Sequence, residues 1–447
     1  MSFNGIRLSY SKEKGNHYSA NCDLKAKELI FTEKFFFATP LLLNVLKNGK
    51  EENISRCANW TCWKIVTQST GYTCKGCKYS LYCNEDCYNA VKFYHMKICD
   101  ISILENYLAL AALYFATGAI IPSLEILSYG IPNKEYRLKI LRFVKVMQIK
   151  FPDIPVRKLI IDTTRFHFIS IQMKTFFGEY IYANAFFLFA NYFNHSCEPN
   201  CYFYFANDKI HVKTIRDIYK DEQLTFSYDH ELLYTSAELR KESLVHHLGN
   251  NCNCPRCTDE IKIANEKKLF ETMKGKPNRL ITLAVSELFK DYKKSTNLDV
   301  LIQLETVYQN HFELTHSMGY ELFKKYTTHL WESSKLVDGI TFCKRLIQIM
   351  ESWKKNNIDT MRLENWCKIM FFILISYTIY IPGKEEKKAL KYDYNNLSLH
   401  MISCQEAIDN CFNWEAFEMD KAIYPFLTEI LELANNAIEI VTENISQ

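Results

Sequence analysis

The spacing of apolar positions changes character several times along this chain of 447 residues. Its first 50 residues read as short alternating pieces, such as KELIFTEKFFF at 27–37, whose β-branched and aromatic content predicts strands. From Ile101 the stretch ISILENYLALAALYFATGAIIPSLEILSYG has long apolar runs with helical patterning. Strand character returns over about 180–230, where CYFYFANDKIHVKTIRDIYKDEQLTFSYD gives two or three β runs parted by AND and YKDE turns. Beyond Asp259 the chain is rich in Lys, Glu and Leu at helical spacing. Segments such as LDVLIQLETVYQNHFELTHSMGYELFKKYTTHLW predict antiparallel helix pairs, without a clean 34-residue repeat. The fold class expected is α+β: a β-rich domain split by helices, then an all-α domain. The longest apolar run, IMFFILISYTIYI at 369–381, is shorter than the ~20 residues of a spanning helix and reads as a buried helix.

At ~100–200 residues per domain, the length predicts two to four domains. The 48% hydrophobic and 23% charged content is that of a globular protein. A net charge of +3, from 54 basic and 51 acidic residues, gives no overall electrostatic case for nucleic-acid or membrane binding. The start, MSFNGIRLSYSKEKGNHY, lacks the apolar core of a secretion signal. The 17 cysteines are therefore expected in a reducing compartment, nucleus or cytoplasm, as thiols and not disulfides.

Seven of those cysteines and one histidine fall between 57 and 99 as four pairs: Cys57 with Cys62, Cys74 with Cys77, Cys83 with Cys87, and His95 with Cys99. Zinc takes four sulfur or nitrogen ligands in closed structural sites, and a short turn presents two thiolates to one ion, so eight ligands predict two zinc ions. So short a segment buries little core, and metal binding supplies its folding free energy. The bland alternative, unrelated buried thiols, sits poorly with four consecutive pairs. Redox use of Cys74 and Cys77 lacks the flanking strand and helix of a thioredoxin-like unit. A second constellation joins NHSCEPNC at 194–201, LTFSYD at 224–229 and CNCPRC at 252–257. Cys252, Cys254 and Cys257 are three close thiolates that need a fourth ligand, for which Cys197 and Cys201 are both candidates.

The first cluster, ending in DCYNAVKFYHMKIC, resembles the MYND zinc finger with its first gap widened. That resemblance implies interleaving: Cys57, Cys62, Cys83 and Cys87 on one ion, Cys74, Cys77, His95 and Cys99 on the other. It also implies binding to proline-containing peptide motifs of partner proteins. Asn194-His195-Ser196-Cys197 with Pro199-Asn200, then Glu222 to Tyr228, then the C-x-C-x-x-C element, resemble a SET domain and its post-SET segment. The whole order is similar to the SMYD family of protein-lysine methyltransferases. The layout implied is an N-terminal SET part at 1–50, the finger at 57–99, a helical insert at 100–180, the SET core at 181–230, the post-SET segment at 231–258, and a TPR-like helical domain at 259–447. The resemblance further implies S-adenosylmethionine as cofactor, held near Lys14, Gly15, Asn16, His17, Asn194 and His195. Tyr228 becomes the channel tyrosine and Cys197 the fourth ligand of a third zinc ion, which leaves Cys201 as a buried hydrophobe. A protein substrate with a target lysine and a monomeric state complete the expectation.

The sequence departs from that pattern at particular places. His17 replaces a glycine of the cofactor loop, where glycine permits positive φ or close approach. Leu248 and Asn250 stand where aromatics usually line the lysine channel and stack on adenine, with His246 and His247 nearby. An asparagine-bearing strand is not recognisable in FISIQMKTFFGEY. These departures motivate an alternative reading: a catalytically weak or inactive scaffold whose finger recruits partners in transcriptional regulation. Nucleic-acid binding through Lys64, Lys75, Lys78, Lys92 and Lys97 is weighed against a solvated face, which is favoured.

Overall fold

A computed structural model describes residues 2–47, 50–99, 134–175, 180–248, 252–276, 278–295, 297–332, 336–355, 363–364, 366–370, 417–423 and 428. The helical pattern expected at 101–130, most of the apolar run at 369–381, Asn250 and the side chains of His246, His247 and Leu248 lie outside them. The chain divides into two units: 1–228 with 241–252 and 414–423, and 229–240 with 253–413 and 424–447.

The first unit is built from short strands. β1 (Ser2–Phe3), β4 (Leu29–Lys34), β14 (Cys201–Ala206) and β15 (Lys209–Thr214) form one sheet in the order β1-β4-β15-β14. β2 (Ile6–Ser11) and β3 (Gly15–Ala20) form a hairpin whose turn has Gly15 at φ +64°, a conformation that glycine adopts without a Cβ penalty. β5 (Phe37–Pro40), β11 (Ile171–Lys174) and β12 (Ile181–Phe186) make a third sheet. Strand structure thus resumes at Ile171, inside the segment assigned to a helical insert, because Ile-Gln-Met-Lys alternates and finds a partner in β12. β12 also carries a buried asparagine, Asn184. Before these strands, helices α2 (Lys134–Lys150) and α3 (Val156–Ile169) pack together as a pair.

The finger grows directly from this framework. β6 (Leu43–Lys47), β7 (Lys50–Arg56) and β8 (Ile65–Thr67) form a small sheet, and Cys57 follows the last residue of β7. Trp63, only 4% exposed, packs edge-on to Phe35 at 4.6 Å and donates its indole N–H to the Asn207 carbonyl at 3.1 Å. Buried Arg56 donates to the Trp63 carbonyl and pairs with Glu418. β9 (Tyr72–Thr73) and β10 (Leu81–Tyr82) lead to α1 (Glu85–Ile98), whose N-cap Asn84 accepts from the Cys87 N–H at 2.9 Å.

Two short strands join distant parts of the chain: β13 (Asn194–His195) pairs in parallel with β16 (Thr225–Phe226). Asn200 locks this junction from within: its amide donates to the Gln223 carbonyl and the Glu222 carboxylate, and its Oδ1 accepts from the Thr225 N–H. Below lies an aromatic core in which Phe193 stacks on Phe226 at 5.3 Å and touches Tyr18 and Phe31.

In the second unit α5 (Pro255–Thr258) and α6 (Glu260–Glu271) precede α7 (Arg279–Ser295), α8 (Leu298–His311), α9 (Ser317–Glu332) and α10 (Leu336–Lys355). Sequential neighbours pack on one another, α7 with α8, α8 with α9 and α9 with α10, and the segment at 298–331 read as a helix pair is α8 and α9. Glu266 accepts from Arg240 at 2.7 Å and also pairs with Arg256, all three nearly fully buried. No described helix is long and apolar enough to cross a membrane.

Glu33 of β4 is the buried polar group that shapes the approach to β13. Its carboxylate accepts from the backbone N–H groups of Leu188, Phe189 and Ala190, at 2.8–3.1 Å. Burial raises its pKa, and the three N–H donors pull it back down. Glu33→Ala is expected to orphan those donors and destabilise the first unit by about 3 kcal/mol or more, at roughly 1–3 kcal/mol per unmade buried bond. Glu33→Gln keeps one acceptor oxygen and loses less. Urea unfolding followed by tryptophan fluorescence measures both, and equal stability of Glu33→Ala and the parent would refute this role.

Candidate metal centres and active site

The eight finger ligands gather as two interleaved sets. The ligand atoms of Cys57, Cys62, Cys83 and Cys87 all lie within 4.8 Å of one another, and so do those of Cys74, Cys77, His95 and Cys99. Spacing creates the pairs; the fold decides which pairs meet. The turn after β9 carries Cys74 and Cys77, with the Lys78 N–H returning to the Cys74 carbonyl at 2.9 Å. Helix α1 supplies Cys87 to the first set and His95 to the second, with Cys99 just past its end. His95 Nε2 is 3.0 Å from Cys74 Sγ and 3.7 Å from Cys77 Sγ.

Thiols this close repel once ionised. Burial and neighbouring thiols push Cys83 up to about 11 and Cys99 up to about 12. Burial opposes ionisation of Cys77 as well, yet hydrogen bonds led by that of His95 hold it near 6. The described cysteines are free thiols. Crowded thiols without S–S bonds, joined by one imidazole, are a donor set that a divalent, sulfur-preferring ion satisfies, and zinc fits it.

The post-SET cysteines divide between the two units. In the first, Cys197 Sγ is 3.9 Å from Cys252 Sγ. In the second, α5 holds Cys254 and Cys257 together through the Cys257 N–H to the Cys254 carbonyl at 2.9 Å, and Arg240 Nη2 lies 3.9 Å from Cys257 Sγ. Cys201 instead sits buried in β14 opposite Thr214, where desolvation drives its pKa far up. The choice left open between Cys197 and Cys201 thus falls on Cys197.

Of the residues expected around a cofactor, Lys14 meets Asn194, and His195 meets Tyr228. Asn194 Nδ2 donates to the Lys14 carbonyl at 3.0 Å, joining the β2–β3 turn to β13. Asn16 and His17 lie in β3 opposite Tyr10 and Ser9. His17 has no positive φ, so its strand position does not require glycine. Its ring is buried, and Nδ1 meets the Gly15 carbonyl at 3.0 Å. Tyr228 follows β16 by two residues. Its N–H donates to His195 Nδ1 at 3.0 Å, and its hydroxyl donates to the Phe193 carbonyl at 3.2 Å. Burial pushes its pKa up to about 12, against a hydrogen bond with the His195 backbone, so the phenol stays protonated at neutral pH. Sequence reasoning passed over Glu33 and the locking role of Asn200; a lone acidic residue in an apolar strand was the available signal for the first.

Residues 17–229 match the model of the SET domain family. Among curated relatives, histone-lysine N-methyltransferase SET5 of Eremothecium gossypii is 37% identical over 82 residues, 18% of this chain and 16% of that protein. A SET and MYND domain-containing protein of Dictyostelium discoideum is 27% identical over 128 residues, 28% of this chain and 34% of its own. Human histone-lysine N-methyltransferase SMYD3 is 39% identical over 72 residues, 16% of each chain. The chain therefore spans between about a sixth and a third of the length of these relatives. The solved SET domain of LSMT bound to lysine and AdoHcy superposes with a TM-score of 0.31 at 10% identity, over 96% of this chain and 88% of that one, a score too low to align individual residues. The SET match over residues 17–229, a relative named for both a SET and a MYND domain, and eight finger ligands in two interleaved sets make this chain similar to the SET and MYND domain proteins.

Proposed function

We propose that this protein is an S-adenosylmethionine-dependent protein-lysine N-methyltransferase that holds three zinc ions and recruits partners through its finger. The observation that carries the reading is the parallel pairing of β13 with β16, which brings Tyr228 against His195 while Asn194 reaches Lys14. When bound, the cofactor would supply an electrophilic methyl group on a sulfonium, its remainder leaving as a neutral thioether. Gly15 lets the turn bend without a Cβ, and the Asn194 side-chain amide donates to the Lys14 carbonyl, so the turn is fixed against β13 as one wall of the cofactor site.

Tyr228 contributes orientation and not proton abstraction. Its high pKa keeps the proton on oxygen, and that proton is directed at the Phe193 carbonyl. The hydroxyl and nearby carbonyls form a fixed dipolar collar in which a substrate lysine, arriving as the neutral amine, is aligned for in-line attack. With the cofactor bound, the amine nitrogen would take the methyl group as the S–C bond breaks, and the resulting ammonium would release its proton to solvent.

Cys254 follows Cys252 by two residues, so Cys197, Cys252, Cys254 and Cys257 make the third zinc set, beside the two in the finger. The finger also offers a peptide surface: Phe93 and Met96 of α1 are 67% and 58% exposed, and a pocket of ≈ 660 Å³, open solvent included, is lined by Pro40, Trp60, Tyr79 and Tyr94. These groups suit a proline-containing segment, which stacks its rigid ring on aromatics at low entropic cost. The paired helices α7–α10 support a repeat-like, TPR-type reading of the second unit.

Calorimetric titration of S-adenosylmethionine into the zinc-replete protein is expected to show binding in the micromolar range. Methyl transfer to lysine-containing protein substrates should then fall roughly 100-fold or more in Tyr228→Phe, with zinc content and folding unchanged. Absence of cofactor binding at full zinc loading overturns the enzymatic reading. The finger assignment has its own check at Gly76, where an added Cβ would lie 2.8 Å from Cys99 Sγ and 3.7 Å from Cys74 Sγ. Gly76→Ala is expected to weaken the Cys74, Cys77, His95 and Cys99 site alone. In cadmium-113 spectra of the substituted protein one finger resonance should shift or vanish while the other stays, and two unmoved resonances would contradict the ligand sets.

A further inference from the structure

His195 stands between the thiolate of Cys197 and the backbone of Tyr228. Its ring is edge-on to the Tyr228 ring at 5.2 Å, and both of its nitrogens are engaged: Nδ1 by the Tyr228 N–H at 3.0 Å, Nε2 by Cys197 Sγ at 3.2 Å. A backbone N–H can only donate, so Nδ1 must accept. An imidazolium would set one N–H against another. The ring is therefore neutral, and its single proton sits on Nε2, aimed at the Cys197 sulfur.

We propose that His195 is a positioning residue that couples the Cys197 thiolate to Tyr228, with its imidazole fixed as the Nε2–H tautomer. An outer N–H donor to a metal-bound thiolate fixes the ring and spreads the charge on sulfur. Within the second unit, Arg240 Nη2 likewise lies 3.9 Å from Cys257 Sγ. On the His195 side the same ring carries the constraint onward. Tyr228 is held at both ends by β13 and its approach, through its N–H to the His195 ring and its hydroxyl to the Phe193 carbonyl. Zinc at Cys197 thus sets where β13 lies, and β13 sets where the Tyr228 hydroxyl points. Cofactor contact by His195 is left to its backbone, because its side chain is spent inside the protein.

The consequence for turnover rests on the methyltransferase reading; the tautomer and the zinc link do not. The test uses the full-length, zinc-loaded protein with nitrogen-15 histidine. Long-range proton–nitrogen correlation should show His195, assigned by its loss in His195→Asn, with an unprotonated Nδ1 and a protonated Nε2. His195→Asn retains an acceptor near the Nδ1 position and removes the donor to sulfur. One zinc ion of the three should then be lost to a competing chelator about 10–100-fold more readily, with the other two unchanged. His195→Gln places an amide N–H near the Nε2 position and removes the acceptor for Tyr228. It should keep its zinc, while kcat falls and the KM for protein substrate stays.

A proton on Nδ1 in the parent protein overturns the proposal, and that spectrum needs no variant to fold. Zinc retention in His195→Asn equal to the parent overturns it too. If the parent binds no S-adenosylmethionine and transfers no methyl group, the enzymatic reading fails while the tautomer and zinc results still decide the coupling.

Discussion

Two residues of parallel strand pairing, Asn194–His195 against Thr225–Phe226, tie the Lys14 turn, Cys197 and Tyr228 to one another in the first unit. A parallel pair needs a long crossover, and here the β14–β15 hairpin and its following loop supply it. Such a pair is too short to persist on its own hydrogen bonds. Asn200 extends it by bonding Gln223 and Thr225 as a strand residue would, and stacking of Phe193 on Phe226 seals it from below. The cost of leaving any of these buried groups unpaired makes the arrangement all-or-none. Through it, Tyr228, His195, Cys197 and the Lys14 turn share one frame.

Metal sites extend the frame where apolar burial is scarce. The finger contributes a small buried cluster around Val66, Leu81, Tyr82 and Val91, too little to order more than 40 residues alone. In zinc-finger peptides, metal binding supplies on the order of 10 kcal/mol or more of apparent free energy at neutral pH. With such a clamp the finger needs only a few anchors to its sheet, and Arg56, Trp60 and Trp63 are those anchors. At the post-SET cysteines the surroundings of the thiolates matter as much as the thiolates: His195 and Arg240 are N–H donors to sulfur, and Glu266 holds Arg240 and Arg256 in place.

The departures from the family pattern weigh differently once the fold is known. His17 lies in an extended strand, so the missing glycine there costs no backbone strain. Within FISIQMKTFFGEY the structure places β11 at Ile171–Lys174, and an asparagine follows beyond that segment, in β12, where Asn184 lies opposite Thr39. Alternation over four residues is a weak signal beside a strong helical pattern, which is why Ile171–Lys174 read as part of a helical insert. Glu33 was invisible for a related reason: an isolated carboxylate in a strand reveals nothing of the three N–H groups, more than 150 residues away, that meet it.

The sequence alone determined what depends on near neighbours: α+β character, helix pairing in the second unit, and the four ligand pairs of the finger, because a turn of two to four residues leaves little choice over where two thiolates point. The family resemblance supplied the interleaving and the choice of Cys197, which spacing could not. Tertiary structure alone decided what depends on distant partners. It placed Cys201 in the core and Cys197 at Cys252, turned His17 into a buried strand residue, and gave His195 a fixed tautomer between a sulfur and a backbone N–H. A hydrogen-bond donor or acceptor has no assignment until its partner arrives, and here the partners come from across the chain.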